Sequence, residues 1–303
     1  MGQANWKRKQ QVEKFQSIDL GQIFIIEWLA PNETLTGSFL ATRLSNSLGS
    51  GVNVTLVKCF SKNEVFDALQ RAKDEIPTHG VPIVHIEAHG SLDRDGFIGP
   101  NVADDEIIEW HELRQPLRDL NVASDFNLMI VGAACLSAWI LTAVEPYKPA
   151  PFLAVVAFNT TVYARTMLDS LSELYRCLFV EKLRLEDCVD RANRELASDE
   201  RLGFTPVPVL VRSAAKDLLG RHATRDAFMK YWEGMYLKSI LVNGRRPTPL
   251  ELKNFVDKAA PRQIEAMLSA MFLYDLFPQN KGRFGFNAEM LARDIWGEYY
   301  WSV

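Results

Sequence analysis

Two apolar runs, each ending close to a reactive side chain, constrain the fold of this chain most strongly. The first is Pro82–Gly90 (PIVHIEAHG) and the second is Asn127–Ala138 (NLMIVGAACLSA). Val, Ile and Leu dominate both runs and small residues bound them, which is typical of strands buried on both faces of a sheet. His89 ends the first run and Cys135 follows the apolar part of the second. If the two strands are parallel neighbours, an imidazole and a thiol meet at the carboxyl edge of the sheet, where ligands bind in open α/β folds.

The sequence before these runs alternates between strand and helix patterns. Ile23–Ala30 and Val52–Phe60 are apolar enough to be strands, and a helical pattern follows each of them. We expect Asn32 to cap the first helix and Ser61 to cap the second, with Glu64 completing a capping box. The β-α-β-α-β order predicts an α/β fold with a mostly parallel sheet flanked by helices.

Further elements are predicted downstream of His89. The patterns indicate a hairpin turn at Asp95-Gly96, a short strand at Ile107 and Ile108, helices at Glu112–Leu120, Leu136–Val144, Arg165–Leu183 and Leu185–Ala197, and strands at Phe152–Phe158 and Pro206–Val211. The Pro206–Val211 strand is expected at an edge, because its two prolines cannot donate to a hydrogen-bond ladder.

Changes in character along the chain predict three regions. Residues 1–20 are interpreted as a polar leader, residues 21–218 as the α/β domain, and residues 219–303 as a helical C-terminal region. The last interpretation rests on apolar residues at helical spacing, among them Phe228, Trp232 and Met235, with no obvious strand pattern.

Charge and composition argue against several classes of protein. The chain has 303 residues and a net charge of −4, so no basic field predicts direct binding to nucleic acid or to an anionic membrane. Its apolar runs are too short to span a bilayer, and no apolar signal region follows the basic N-terminus. Four cysteines without such a signal predict a reducing, cytoplasmic location rather than a disulfide framework.

His89 and Cys135 have the chemistry of a cysteine-peptidase dyad. A thiol attacks a carbonyl as the thiolate, which a helix N-terminus or a nearby imidazole favours, and the helix predicted at Leu136–Val144 begins beside Cys135. His89 would pass a proton to the leaving amine. The backbone N–H groups of Gly90 and Cys135 are the candidates for an oxyanion hole. The alternative is that both side chains are structural, as most single cysteines in apolar strands are.

Other polar residues near the pair are candidates for orienting the imidazole or lining a substrate pocket. Strand alternation puts His85, Glu87 and His89 on one face, so Glu87 either orients His89 or is a sheet-edge residue paired elsewhere. Asp93 either touches substrate or only forms the hairpin turn. HIEAH also has two histidines four residues apart, but on a strand they lie about 13 Å apart. We therefore expect no metal and no cofactor.

The order and spacing of these motifs resemble those of caspase-like, clan CD cysteine peptidases, and most closely those of the CHAT domain. HIEAHG, a hairpin and GAACLSA follow one another, and His89 precedes Cys135 by 46 residues (135 minus 89), compared with about 50 in caspases. EWHELRQPLRDLN resembles the Trp-x-x-Leu helix of the family, and YARTMLDSLSELYRCLFVEKLRLEDCVDRANREL resembles its last helix pair. The resemblance spans Ile23–Arg212 and implies a caspase-like sheet that carries a His89–Cys135 dyad.

The resemblance implies a cysteine endopeptidase that cleaves a partner protein, since CHAT-type peptidases often occur in bacterial antiviral-defence and cell-death modules. The pocket motifs of the family are not all present. The stretch after the strand that follows Cys135 is AFNTTVYA, in which Asn159 and its neighbours replace the usual acidic residue. The caspase string Gln-Ala-Cys-x-Gly is also absent. Neither a basic nor an Asp residue is therefore predicted at the cleavage site, and Asn159 stays a pocket candidate.

The short link EPYKPAP after the Cys135 helix implies a single-chain enzyme, because caspases that mature by cleavage have a longer linker. We expect a regulatory partner or ligand to switch the enzyme, with the helical C-terminal region as the docking site. The competing prediction is a catalytically inactive scaffold of the same fold, because a fold and a pair of residues do not prove turnover.

Overall fold

A computed structural model describes residues 20–100, 106–220, 233–234, 236–242, 244–246 and 248–300. Of the predicted leader, residues 1–20, only Leu20 belongs to the described residues. Phe228, Trp232 and Met235 of the C-terminal helical pattern also lie outside the described residues. The described residues form two compact units. The first comprises residues 20–100, 106–144 and 150–207, and the second comprises residues 145–149 and the described residues from 208 onwards. His89 and Cys135 both belong to the first unit.

The first unit is built on a six-stranded sheet with the strand order β2-β1-β3-β7-β8-β9. Its strands are β1 (Leu20–Glu27), β2 (Asn53–Lys58), β3 (Val81–Glu87), β7 (Met129–Ala133), β8 (Ala154–Phe158) and β9 (Leu202–Thr205). All neighbours are parallel except β9, which runs antiparallel to β8. The predicted α/β fold with a mostly parallel sheet is confirmed.

A small antiparallel sheet leaves the main sheet directly after β3. It has the order β4-β5-β6, with β4 at His89–Gly90, β5 at Gly96–Ile98 and β6 at Ile107–Glu109. His89 pairs with Ile98 and Gly90 with Phe97. The predicted hairpin and the short strand at Ile107 are therefore confirmed. Only Ala88 separates β3 from β4, so His89 is held by a hairpin rather than by a loose loop.

Helices flank the main sheet and make up most of the second unit. They are α1 (Thr36–Ser47), α2 (Lys62–Asp74), α3 (Ile76–His79), α4 (Trp110–Ala123), α5 (Ala164–Tyr175), α6 (Leu185–Ala192), α7 (Val207–Gly220), α8 (Pro249–Phe272), α9 (Gln279–Arg283) and α10 (Ala288–Tyr300). Short 3₁₀ helices lie at Gly49–Gly51 and Ser137–Ala143, and a π-helix at Arg176–Val180 continues α5. None of the described helices is long and apolar enough to cross a membrane.

Alternating side chains of the central strands enter two apolar layers. Ile23 and Ile25 of β1 lie in the layer that also contains Leu40 of α1 and Leu171 of α5. Their neighbours Phe24 and Ile26 are equally buried and, by the alternation of a strand, point to the opposite face. Burial on both faces explains why these strands are continuous apolar runs in the sequence.

The predictions at Asn32 and at Pro206–Val211 are wrong. The first helix begins at Thr36 rather than next to Asn32, and its N-cap residue Leu35 makes no side-chain cap bond. The predicted strand Pro206–Val211 is instead largely the start of α7, while the strand itself, β9, ends at Thr205. Proline has no N–H to give to a ladder, but it is tolerated in the first turn of a helix, where that N–H is unpaired anyway.

The N-terminus of α1 lies on two buried carboxylates at the ends of β1 and β3. The Ser38 N–H and hydroxyl donate to Glu27 at 2.7 and 2.6 Å, and the Thr36 hydroxyl donates to Glu87. Gly37 lies between them, where a Cβ would come within 3.0 Å of a Glu27 oxygen. The sheet therefore caps the helix, and the positive end of the helix dipole compensates two carboxylates removed from water.

Replacing Glu27 with Ala should destabilise the protein, because it removes the acceptor of the part-buried Ser38 N–H and hydroxyl. We expect the free energy of unfolding to fall by about 1–3 kcal/mol in urea titrations. The control is Lys58→Ala, which removes a half-exposed ammonium 3.9 Å from the same carboxylate and should cost less than about 1 kcal/mol. Equal losses in the two variants would contradict the capping role of Glu27.

Candidate active site

The carboxyl ends of β3 and β7 lie side by side at one edge of the main sheet. The two strands are parallel neighbours, and their last paired residues are Glu87 and Ala133. His89 and Cys135 each lie two residues beyond this pair. The predicted adjacency of the two strands is therefore confirmed, and both residues leave the sheet at the same level.

Gly90 lies very close to the backbone of Cys135. A Cβ built on Gly90 would lie 1.6 Å from the carbonyl oxygen of Cys135 and 3.1 Å from its Cα. No side chain fits such a gap, so glycine is required by packing at this position. The backbone that follows His89 thus lies directly on the backbone of Cys135.

Cys135 lies in a tight turn rather than at the start of an α-helix. The helix predicted at Leu136–Val144 is a 3₁₀ helix, Ser137–Ala143, preceded by Leu136 in the left-handed region with φ 55°. The Ser137 hydroxyl donates to the Gly132 carbonyl at 2.7 Å and accepts from the Phe158 N–H at 3.1 Å. These bonds tie the chain back to the ends of β7 and β8. A side chain competing for backbone groups in this way explains why a regular helix does not begin at the thiol.

The loop after β8 contacts Cys135 from the other side. The Val162 N–H donates to the Cys135 sulfur at 3.4 Å, and the Leu136 N–H donates to the Thr160 carbonyl at 3.1 Å. Glu200 supports this loop by accepting from the Tyr163 N–H at 2.8 Å. Burial alone would raise the pKa of Glu200, but hydrogen bonds from Tyr163, Ala197 and Thr166 hold that pKa below its usual value.

The backbone hydrogen bonds around Gly90 and Cys135 bear on the two proposed oxyanion-hole donors. The Ser91 N–H donates to the Gly96 carbonyl, which makes Ser91 and Gly96 a hydrogen-bonded pair. Because such pairs alternate along an antiparallel ladder, Gly90 belongs to a non-bonded pair and its N–H points away from β5. Within the described residues, the Cys135 N–H donates to no backbone acceptor.

His89 contacts a carboxylate that the sequence did not single out. Its Nε2 lies 2.9 Å from Glu33 Oε1, and the two side chains are 46% and 33% exposed. Glu33 lies in the turn between β1 and α1. Among the described contacts, His89 and Cys135 share no hydrogen bond. The sequence did contain a signal for Glu33, because this acidic residue follows β1, and β1 is the neighbour of β3 in the sheet. However, strand order cannot be read from one sequence.

His85 and Glu87 lie beneath the edge rather than in the open site. Both are buried, and His85 Nε2 lies 3.0 Å from Glu87 Oε1. His85 Nδ1 lies 2.8 Å from the Tyr175 hydroxyl. Burial, and then the charge of Glu87, raises the pKa of Tyr175 well above its ordinary value. The Glu87 carboxylate contacts His85 and Thr36, whereas His89 lies on a separate strand, β4.

The remaining pocket candidates are exposed and lie on the loops that border the pair. Asp93 lies in the β4–β5 turn, where its N–H donates to the Ser91 hydroxyl at 3.2 Å. The N–H of Asn159 donates to the Arg201 carbonyl at 3.1 Å, just beyond β8. Both remain candidates for substrate contact because their side chains are open to solvent.

A cation–π contact joins the hairpin to the segment after Cys135. The Arg94 guanidinium lies 5.2 Å from the ring centre of Trp139, and the Arg94 carbonyl accepts from the Trp110 indole N–H at 2.7 Å. Phe97 packs edge-on against Trp110 with ring centres 4.8 Å apart. This chain of contacts fixes the hairpin that carries His89 relative to the segment that carries Cys135.

The other three cysteines are chemically distinct from Cys135. All four thiols are free, and only Cys135 is partly exposed. Burial, with the charges of Glu64 and Asp67, raises the pKa of Cys59 to about 12. Burial also raises the pKa of Cys188 to about 12. The pKa of Cys177 is raised by burial and by its contact with Glu173.

Comparisons with known proteins leave the family open. No family model matches the chain, and no curated protein matches it. In the described part of the chain, no group of three or more His, Cys, Asp and Glu side chains is arranged to hold a metal ion. The evidence that bears on function is therefore the geometry of the sheet edge at His89 and Cys135.

Replacing Gly90 with Ala should separate the hairpin from the Cys135 turn, because the added methyl overlaps the Cys135 carbonyl oxygen. We expect a loss of about 1–3 kcal/mol in the free energy of unfolding, measured with urea. Gly51→Ala is the matched control, since a Cβ on Gly51 meets nothing within 4 Å. Equal unfolding midpoints for the two variants would show that the close approach is absent in solution.

Iodoacetamide at pH 7.5 should modify Cys135 before the other cysteines, because they are buried and have raised pKa values. The greater exposure of Cys135 would by itself produce this order of modification. The variant His89→Ala therefore tests whether His89 activates the Cys135 thiol. That variant should slow alkylation of Cys135 by about tenfold, as measured by mass spectrometry of the labelled peptides. His111→Ala, which removes an exposed imidazole bonded to Glu109, should leave the rate unchanged. Equal rates in all three proteins would exclude activation by His89.

Proposed function

We propose that this chain is a cysteine endopeptidase of the caspase-like, CHAT type, and that it hydrolyses a peptide bond of a partner protein. The observation that carries the proposal is the contact between Gly90 and the Cys135 backbone at the carboxyl edge of the sheet. This contact supports the proposal because the two backbone segments that meet carry a partly exposed thiol and an exposed imidazole. The sequence resemblance supplies the reaction class.

The proposed reaction has two steps. The Cys135 thiolate attacks the substrate carbonyl, and the backbone N–H groups of Gly90 and Cys135 stabilise the oxyanion. The C–N bond then breaks while His89 gives its proton to the leaving amine. In the second step, water attacks the thioester carbonyl and passes a proton to His89. The C–S bond then breaks, which releases the acid product and restores the Cys135 thiolate beside a protonated His89. Catalytic hydrogen bonds are often long without substrate and tighten in the complex, so direct contact between His89 and Cys135 is not required beforehand.

Exposed apolar side chains on the bordering segments support a protein substrate. Leu92 lies in the hairpin turn, Trp139 follows Cys135, and Tyr163 follows the residue that contacts the sulfur; they are 77%, 41% and 78% exposed. We propose that they bind apolar side chains of an extended substrate segment. Asp93 and Asn159 supply polar groups on the same loops. No acidic pocket for a basic residue is proposed at Asn159.

We also propose that activity is switched by a partner protein in a bacterial defence or cell-death system, in the cytoplasm. The short link after the Cys135 segment supports a single chain, and the helices of the second unit are the proposed docking element. The second unit has its own core, in which Phe272 stacks on Phe284 with ring centres 4.5 Å apart.

An inactive scaffold of the same fold is the competing function, and one observation favours it. His89 is bonded to Glu33 and the Cys135 sulfur to the Val162 N–H, so each reactive group already has a partner. A scaffold would keep these contacts and never react.

A substrate-library cleavage profile decides between the two functions. Wild type should cleave a subset of peptides, while Cys135→Ala and His89→Ala should each lose at least about 10³-fold in kcat/KM. Cys59→Ala is the matched control, since it removes a buried thiol far less able to ionise, and it should retain the wild-type cleavage pattern.

A peptidyl chloromethyl ketone supplies a second readout that does not depend on turnover. It should label Cys135 in wild type and fail to label it in His89→Ala. Cleavage that survives in Cys135→Ala, or absence of both cleavage and labelling in the presence of cell extract, would favour the scaffold.

A further inference from the structure

We infer that Glu33 is the positioning residue of His89: it holds the ring as the Nε2–H tautomer and leaves Nδ1 as the proton acceptor for Cys135. The inference rests on the proposed peptidase function. It adds a third side chain that the sequence motifs do not contain.

The tautomer follows from the chemistry of the contact. Glu33 Oε1 lies 2.9 Å from His89 Nε2. An ionised carboxylate only accepts hydrogen bonds, so the ring nitrogen that faces it must carry the proton. In a neutral imidazole the other nitrogen, Nδ1, is then the acceptor. Glu33 thereby chooses which nitrogen takes a proton from the thiol.

The Glu33 carboxylate is itself held in place. Its second oxygen, Oε2, accepts from the Ala30 N–H at 3.0 Å, and the Glu33 N–H donates to the Ala30 carbonyl at 3.0 Å. Both carboxylate oxygens therefore have a partner, one in the turn and one on the imidazole. Because the Glu33 carboxylate is already held by the Ala30 N–H, Glu33 loses less conformational entropy when it orients the His89 ring.

The turn that carries Glu33 is anchored at both ends by the buried carboxylates. Glu27 precedes the turn and accepts from Ser38 after it. Glu87 accepts from Thr36 at the start of α1, and its carbonyl accepts from the Trp28 N–H at 2.8 Å. Glu87 also lies two residues before His89. One buried residue therefore fixes both the turn that carries Glu33 and the strand that leads to His89.

A second Glu–His pair in the same unit shows what a merely local contact looks like. Glu109 and His111 lie two residues apart in sequence, with 2.9 Å between Oε2 and Nδ1, and are 53% and 58% exposed. Glu33 and His89 are 56 residues apart and less exposed. Tertiary structure, rather than sequence proximity, brings Glu33 to His89, which makes Glu109 a matched control.

Kinetics on the full chain tests the inference. Glu33→Ala should lower kcat by about 10- to 100-fold with little change in KM, because the proton acceptor is misoriented while substrate contacts remain. Glu33→Gln keeps an acceptor oxygen but loses the charge, so an intermediate loss is expected. Glu109→Gln should match wild type. Urea midpoints within experimental error of wild type verify that the Glu33 variants are folded.

A double-variant cycle shows whether Glu33 acts through His89. In a His89→Ala background, Glu33→Ala should cause no further loss in kcat, because the residue it positions is gone. A structural role would lower kcat again by the same factor. A further loss of kcat in the double variant overturns the inference, and so does a kcat for Glu33→Ala equal to or above that of wild type. Neither result contradicts the proposed His89–Cys135 dyad.

Histidine ¹⁵N chemical shifts supply a readout that needs no substrate. Wild-type His89 should show a protonated Nε2 and an unprotonated Nδ1, and Glu33→Ala should show a mixture of tautomers. A mixture in wild type overturns the inference. Turnover that persists in Cys135→Ala contradicts the proposed function. The role of Glu33 in that function is then excluded as well, whichever tautomer His89 adopts.

Discussion

Two carboxylates buried at the ends of neighbouring strands are the constraint on which the site depends. Glu27 and Glu87 are both about 1% exposed, and a carboxylate removed from water is costly unless it is hydrogen-bonded. The N-terminus of α1 supplies the donors, Ser38 and Thr36, together with the positive end of the helix dipole. Meeting this requirement fixes where α1 begins and how the turn before it runs. The turn that holds Glu33 and the strand that leads to His89 are positioned as a consequence.

A second constraint acts between backbones. Gly90 lies so close to the Cys135 carbonyl that no Cβ fits, and the Arg94–Trp139 contact joins the same two segments through side chains. Because β3 and β7 are rigid and paired in parallel, the two reactive residues are held by secondary structure on one side and by these contacts on the other. The backbone that carries the proposed catalytic pair is therefore held in place from two sides.

Prediction from the sequence was reliable where burial determines the pattern. Strands buried on both faces are continuous runs of Val, Ile and Leu, so β1, β3, β7 and β8 were found, and the alternation with helices implied a parallel sheet. The Ser61 cap of α2 is also local, and Ser61 does accept from the Glu64 N–H. Prediction was wrong at Asn32 and Pro206–Val211. At Asn32, the distant Glu27 carboxylate caps α1 instead. At Pro206–Val211, the prolines are compatible with the first turn of a helix as well as with an edge strand.

The sequence by itself determined that this chain folds as an α/β protein with His89 and Cys135 at the ends of two buried strands, because apolar periodicity and glycine placement are local properties. Only the tertiary structure decided which groups surround that pair. Glu33, 56 residues away in the sequence, contacts His89. The Glu87 carboxylate contacts His85 and Thr36. The Cys135 sulfur, in a tight turn, accepts a hydrogen bond from the Val162 N–H. Such partners depend on strand order and loop geometry, which arise from the packing of distant segments and leave no pattern in the local sequence.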